Sequence, residues 1–478
     1  MTVSKLSGLR TFTLVMLISG AVDSIRNLPA TALFGTSLIF FFVLSSIIFL
    51  IPAALISAEL SSKFTEKSGI FHWVRIALGE KLGFFAVWLQ WLSNVVWFPT
   101  ILSFIAATAT YMMAPDLAKN KTYLIMMVIS IFWLLTILNL RGINTSAKFS
   151  SFCVVIGIVI PMAVIILLGG MWLISGNPSN IHFTANNIIP NFGDGQNWIS
   201  LTAIMTAFLG IELSAVHIND VHNPQKTFPK ALFYSVLLIL STMILGSLAI
   251  AIVLPKDKIN LINGVMQAFT DFFAMYHISW LMPIMTILIA VGTCGGIISW
   301  IISPVKGLLQ GAQYGFLPEF FKKENRHGVP ANLLIAQAIL VSFICLAFLL
   351  MPSINSSYWL LTALSTQTYM IMYVLMFISG IRLYKTLTAQ KTGFCIPGGK
   401  YGLIGTCLLG LSGCFITMTV GFIPPSSMDV GSLLHYELIF LSSIVMITTP
   451  VLICIFYRSK FGLTTIKEDF EPLAESVA

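Results

Sequence analysis

The sequence predicts an all-α polytopic membrane protein of twelve transmembrane helices. Composition is the first ground: of 478 residues, 57% are hydrophobic and 9% charged, with a mean hydropathy of +0.92. Soluble domains carry about 25% charged residues, so a water-soluble globule of this size is excluded, and disorder with it. The second ground is the recurrence of apolar stretches of roughly 20 residues, the length a helix needs to cross the bilayer core. The third is the placement of Lys and Arg, which gather in alternate connections.

The apolar stretches lie near 11–33, 36–59, 83–113, 122–140, 150–175, 197–219, 231–254, 279–303, 331–351, 357–381, 402–424 and 435–457. Strands of an outer-membrane barrel would be about ten residues long with alternating polarity, and none of these reads that way. With the N-terminus in the cytoplasm, all but five of the 26 Lys and Arg fall inside. Lys119, Lys121, Lys256 and Lys258 fall outside, and Arg26 lies within span 1. This positive-inside asymmetry places both termini in the cytoplasm. It also accounts for the net charge of +8 without nucleic acid. Seven cysteines stand singly with no CxxC, which indicates neither a disulfide framework nor a metal site. The first apolar stretch is too long for a cleavable signal and runs into a second.

The connections are too short to hold a catalytic domain; the longest are 61–81, 176–196, 304–330, 382–401 and the tail 458–478. The chain carries no Walker, HExxH or GxSxG motif, and the loop sequence Gly307-Leu-Leu-Gln-Gly311 has no phosphate-loop pattern. No enzyme and no cofactor is expected. A carrier or a channel remains.

Charges inside spans are costly and face a cavity or a partner. Here they are Asp23 and Arg26 in span 1, Glu59 at the end of span 2 and Glu212 in span 6; Asp220 and Glu437 lie near span ends. Span 1 reads Ser19-Gly20-Ala21-Val22-Asp23-Ser24-Ile25-Arg26-Asn27-Leu28-Pro29, and span 6 reads Thr206-Ala207-Phe208-Leu209-Gly210-Ile211-Glu212-Leu213-Ser214. Each is an apolar helix interrupted by Gly, small residues and an acid. Irregular backbone at that depth needs protein or water to satisfy its amides, and paired interruptions point to a transport site. Discontinuous helices 1 and 6 would open the halves of a 5+5 inverted repeat. The chain then divides into an N-terminal segment 1–10, a first repeat 11–175, a second repeat 197–381, two further helices in 402–457 and the tail 458–478. Asp23 and Arg26, spaced i,i+3, either pair with each other or leave Arg26 free in the cavity; the cost of an isolated charge favours the pair. In span 8, Gly292-Thr293-Cys294-Gly295-Gly296 leaves room on one face, with Trp300 a turn beyond Gly296. Trp97 and Asn94 in span 3 are weaker candidates.

The stretch His217-Ile-Asn-Asp220-Val-His-Asn223-Pro224-Gln-Lys226-Thr-Phe-Pro229-Lys-Ala resembles the signature that follows span 6 in the amino acid–polyamine–organocation superfamily. Five further segments resemble its glutamate:GABA antiporter-like branch. They are Ser68-Gly69-Ile-Phe-His-Trp73-Val, Gly264-Val-Met-Gln-Ala-Phe269, Ser299-Trp300-Ile-Ile-Ser-Pro304-Val-Lys306-Gly307, His327-Gly328-Val-Pro330 and Ile396-Pro397-Gly-Gly-Lys400. The resemblance implies a LeuT-like fold and alternating access, with an amino acid held between spans 1, 3, 6, 8 and 10. On that basis the expected substrate-binding residues are Gly20, Ala21, Asp23, Ser24, Arg26, Phe208, Gly210, Gly296 and Trp300, with Glu212 and Asp23 as coupling groups. Gly296 stands where the acid-resistance antiporters have a glutamate, Arg26 where they have a tyrosine, and the C-terminal tail is shorter than theirs. A paired Asp23–Arg26 would leave a neutral site with room at Gly296 for a larger neutral or aromatic substrate. The expected function is amino-acid exchange, against proton-coupled symport and a solute-gated channel or sensor. Its partners are a small amino acid and the lipid bilayer, and a homo-oligomer is compatible.

Overall fold

The computed structural model describes residues 10–64, 69–111, 114–141, 152–190, 195–215, 221–351, 353–389, 392–424 and 432–461. Among them are helices and turns, with no strand. Among the described residues, ten continuous helices are long and apolar enough to cross a membrane: Gly35–Lys63, Glu80–Thr110, Lys121–Asn139, Phe152–Ile174, Pro224–Val253, Ser279–Gln313, Ala331–Leu349, Ile354–Arg382, Gly399–Val420 and Leu433–Arg458. They correspond to spans 2 to 5 and 7 to 12. Leu134, Ile174, Phe343, Met446 and Phe456 point outward and are exposed, as side chains facing lipid must be.

Two connections differ from the expectation. The segment 304–313, read as loop, continues the span 8 helix to Gln313. Val305, Leu308, Leu309 and Ala312 are buried along it. Gly307 and Gly311 let it lie against span 3, since a Cβ at either would meet Val87 at 2.8 Å or Phe84 at 2.6 Å. The connection 61–81 contains the helix Ile70–Leu78, bounded by Gly69 and Gly79 at φ 109° and 94°, values that only glycine adopts without strain.

Span 3 is the central post, packed on spans 4, 8 and 10. Beside it spans 5 and 8 touch backbone to backbone: a Cβ on Gly157 or Gly292 would lie 2.2 Å from the other's Cα. Span 5 forms a π-turn there, Val155–Val159.

Spans 1 and 6 are the interrupted ones. Span 1 begins as the helix Thr11–Val22, becomes extended at Asp23 and Ser24, makes a tight turn at Ile25–Asn27 and resumes as Leu28–Ala32. Pro29 has no amide to return to Ile25, which removes one rung of a continuous helix. Span 6 begins as Gly195–Ala207 and breaks into successive turns through Glu212, with Gly210 at φ 97°. His217 and Asp220 lie outside the described residues.

At the far end of span 2, Glu59 is 2% exposed and accepts a hydrogen bond from Lys63 Nζ at 2.9 Å. Glu59 Oε2 also accepts the amide of Ile396 at 3.1 Å, and Lys63 donates to the carbonyl of Leu387. This pair therefore ties the segment between spans 10 and 11 to span 2. Removing one member of a buried pair leaves an uncompensated charge. Lys63→Met is expected to destabilise the detergent-solubilised protein by about 3–5 kcal/mol. Adding Glu59→Gln should recover most of that loss in the same thermal melt.

Candidate functional site

The interruption of span 1 opens onto an internal cavity. Its walls are Gly20 to Ser24 with Arg26 and Asn27 from span 1, and Asn94, Trp97 and Ile101 from span 3. Ile158 contributes from span 5, Thr206 and Leu209 from span 6, Thr293, Gly296 and Trp300 from span 8, and Ser365 and Tyr369 from span 10. Of the expected site residues, Gly20, Ala21, Asp23, Ser24, Arg26, Gly296 and Trp300 line one cavity, as do Asn94 and Trp97.

Trp300 holds the wall together. Its Nε1 donates to the carbonyl of Ala21 at 2.9 Å, filling one acceptor left by the break in span 1. Its ring stands 5.1 Å from Trp97 and 6.4 Å from Tyr369. Gly210 lies directly behind it, where a Cβ would come within 2.5 Å of the indole. Gly210 is thus a close-packing residue and does not line the cavity.

Phe208 is a correction. The turns at the end of Gly195–Ala207 direct its ring away from the cavity and onto Phe42 of span 2, with centroids 5.7 Å apart; Thr206 and Leu209 line the cavity instead. The expected pairing of Asp23 with Arg26 is also overturned. Asp23 Oδ2 accepts from Thr242 of span 7 at 2.6 Å. Arg26 donates to Thr100 Oγ1 at 3.3 Å and to the hydroxyl of Tyr358. An i,i+3 pair presumes helical backbone, and the backbone at Asp23 and Ser24 is extended, so the two side chains leave in different directions. Gly296 lines the cavity, and a Cβ there would lie 3.4 Å from the carbonyl oxygen of Gly20, an ordinary contact distance.

Arg26 is 1% exposed. The faces of Trp97 and Tyr358 lie 5.3 and 5.5 Å from its guanidinium carbon, and its Nε is buried without a partner. Such cation–π contacts are worth about 2 kcal/mol when desolvated, less than the several kcal/mol that burying a charge costs. Glu212 sits beneath Tyr369, outside the cavity wall. It accepts from Gln90 at 2.8 Å, from Tyr369 at 2.7 Å and from Tyr373. Tyr373 in turn accepts the amide of Gly210 at 3.1 Å.

Thr100, Tyr358, Gln90, Tyr369, Tyr373 and Thr242 were not singled out from sequence. Each is an ordinary polar residue on a long helix, and only the fold brings it to a charge.

Interrupted helices around a buried cavity, in a chain of membrane-length helices, define a solute transporter. A family model described as amino acid permease matches residues 9–448, and the chain belongs to that family. It is 40% identical over 438 residues to an uncharacterized transporter of Legionella pneumophila, covering 92% of this chain and 94% of the relative. It is 31% identical over 461 residues to a glutamate/gamma-aminobutyrate antiporter of Lactococcus lactis, covering 95% and 91%. A probable agmatine/putrescine antiporter of Lactococcus lactis is 21% identical over 373 residues, covering 77% and 78%. The resemblance carried by the sequence motifs is borne out. The protein is a multi-pass membrane protein of an amino-acid transport family.

Proposed function

We propose that the protein exchanges amino acids across a bacterial inner membrane by alternating access, and that its substrate carries an anionic side chain. Spans 1 and 6 complete twelve crossings in a 5+5 inverted repeat, and both termini are cytoplasmic. The observation that carries the substrate class is Arg26, which lines the cavity and has its buried Nε free of any partner. A substrate carboxylate facing that guanidinium would form a charge-assisted contact, roughly twice as strong as a neutral hydrogen bond. Glutamate, one of the two substrates in the name of the glutamate/gamma-aminobutyrate antiporter among the relatives, carries such a side chain. The backbone ends of the two interruptions would meet the α-amino and α-carboxylate groups, because broken half-helices present unpaired N–H and C=O groups. Trp300 and Trp97 form the apolar wall that the substrate's methylenes would lie against.

Glu212 is the coupling group on this reading. It has three side-chain donors, and no ion pair reaches it among the described residues. A proton would remove the buried charge, and a tyrosine hydroxyl of the cluster would turn to accept from the new O–H.

Three measurements test this function. In proteoliposomes, labelled glutamate should enter only when unlabelled amino acid is preloaded; equal entry into empty vesicles under a proton gradient would establish symport instead. Arg26→Met should abolish glutamate counterflow while the variant remains monodisperse in detergent, and retained glutamate exchange would remove Arg26 from the substrate site. Glu212→Gln should flatten the pH dependence of exchange, whereas an unchanged profile at normal rates would leave Glu212 a structural acid.

A further inference from the structure

The interruption of span 1 leaves one carboxylate oxygen unused. Asp23 is 3% exposed, directly follows the half-helix Thr11–Val22 and lines the cavity. Oδ2 accepts from Thr242, while Oδ1 is fully buried and has no hydrogen-bond partner. Arg26, the one cation of span 1, is turned to Thr100 and Tyr358. A buried carboxylate oxygen at membrane depth is costly without a donor, and Oδ1 faces none from the protein. We propose that Asp23 receives the ammonium group of the bound amino acid through Oδ1, a role that rests on the reading of the cavity as an amino-acid site.

The end of the half-helix shows why its backbone alone would not suffice. A helix C-terminus leaves four carbonyls unpaired, and a bound ammonium would ordinarily draw on these. Here the carbonyl of Ser19 already accepts the amide of Asp23 at 2.6 Å, and that of Ala21 accepts Trp300 Nε1 at 2.9 Å. The carbonyls of Gly20 and Val22 remain. An ammonium has three donors, so these two carbonyls and Asp23 Oδ1 match its number. Gly296 keeps the carbonyl of Gly20 uncovered, because a side chain there would begin 3.4 Å from it.

Asp23 and Arg26 then divide the labour by sign. The amine is drawn to the break in span 1, and the side-chain carboxylate to the guanidinium anchored by spans 3 and 10. A substrate lacking the amine would leave Asp23 buried and uncompensated.

The test compares amino acids with their des-amino analogues on the full-length purified protein. Competition binding is measured for glutamate against glutarate and for leucine against 4-methylpentanoate, in wild type and in Asp23→Asn. Asp23→Asn should weaken the amino acid by about ten- to hundredfold, the size of one hydrogen bond between charged groups. It should leave the des-amino acid unchanged or tighter, so that discrimination for the amine collapses. Equal weakening of both members of a pair would make Asp23 a positioning residue and overturn the proposal. Intact amine discrimination together with a lost sodium or proton dependence would assign Asp23 to an inorganic cation, and would equally overturn it. The leucine pair separates this proposal from the acidic-substrate reading: leucine binding with a collapsed ratio upholds Asp23 while removing Arg26's role. Failure of every amino acid to bind wild type would overturn both. Should Asp23→Asn not fold, Asp23→Glu keeps the charge but displaces it by one methylene. Amine discrimination should then fall at least about threefold, and an unchanged ratio would refute the assignment.

Discussion

Interrupting a helix inside a bilayer strands backbone amides and carbonyls where no water can serve them, and each unsatisfied group costs several kcal/mol. The rest of this structure is arranged around that cost. At the break in span 1 the amide of Asp23 returns to Ser19, and that of Asn27 to Ser24, while Trp300 supplies a donor to Ala21. At the break in span 6, Tyr373 accepts the amide of Gly210, and the amide of Leu213 closes on the carbonyl of Gly210. The two aromatic residues that perform this service come from spans 8 and 10. Their positions then fix Tyr369 between them, with ring centroids 6.4 Å from Trp300 and 5.4 Å from Tyr373. Trp300 therefore serves twice, as a donor to the broken backbone and as part of the cavity wall.

Close packing of small residues keeps this arrangement in register. Gly210 admits the indole of Trp300, and Gly20 lies so near Val154 that a Cβ would meet it at 2.6 Å. Spans 5 and 8 meet at Gly157 and Gly292 without a side chain between them. In lipid there is little hydrophobic force to press helices together, so such contacts hold by dispersion over short distances. A bulky residue at any of them would separate the very helices whose side chains satisfy the breaks.

Much of the fold was legible in the sequence because hydropathy at membrane length is a one-dimensional signal. The interruptions of spans 1 and 6 were legible too, because Gly, Pro and an acid in an apolar run conflict with a continuous helix. The partners of the charges were not. Thr100 and Tyr358 are 74 and 332 residues from Arg26, and nothing in their local sequence distinguishes them from other polar residues on long helices. The expected Asp23–Arg26 pair failed for an instructive reason: it applied helical spacing at the one place where the same reading had the helix broken. Phe208 failed likewise, because once span 6 leaves its helix, residue order no longer tells which way a ring points. The helix at 304–313 was missed because Lys306, Gly307 and Gln310 lower its apolar character, although Val305, Leu308, Leu309 and Ala312 keep a buried face.

Two of the three buried charged residues of spans 1 and 6, Arg26 and Glu212, are held in parallel ways. Arg26 is met by Thr100 of span 3 and Tyr358 of span 10. Glu212 is met by Gln90 of span 3 and by Tyr369 and Tyr373 of span 10. Gln90 and Thr100 are about 15 Å apart along one helix at a rise of about 1.5 Å per residue, and the cavity-lining Asn94 and Trp97 lie between them. The interrupted spans thus contribute the charges, and the continuous spans contribute the neutral dipoles that hold them. Any movement of spans 1 and 6 relative to spans 3 and 10 must break one of these clusters, and a buried charge stripped of its donors is the costly state. On the exchange reading a bound substrate lowers that cost at Arg26 by bringing its own carboxylate, whereas an empty cavity offers nothing in exchange. On that proposed reading, reorientation would be easier with substrate bound than with the cavity empty.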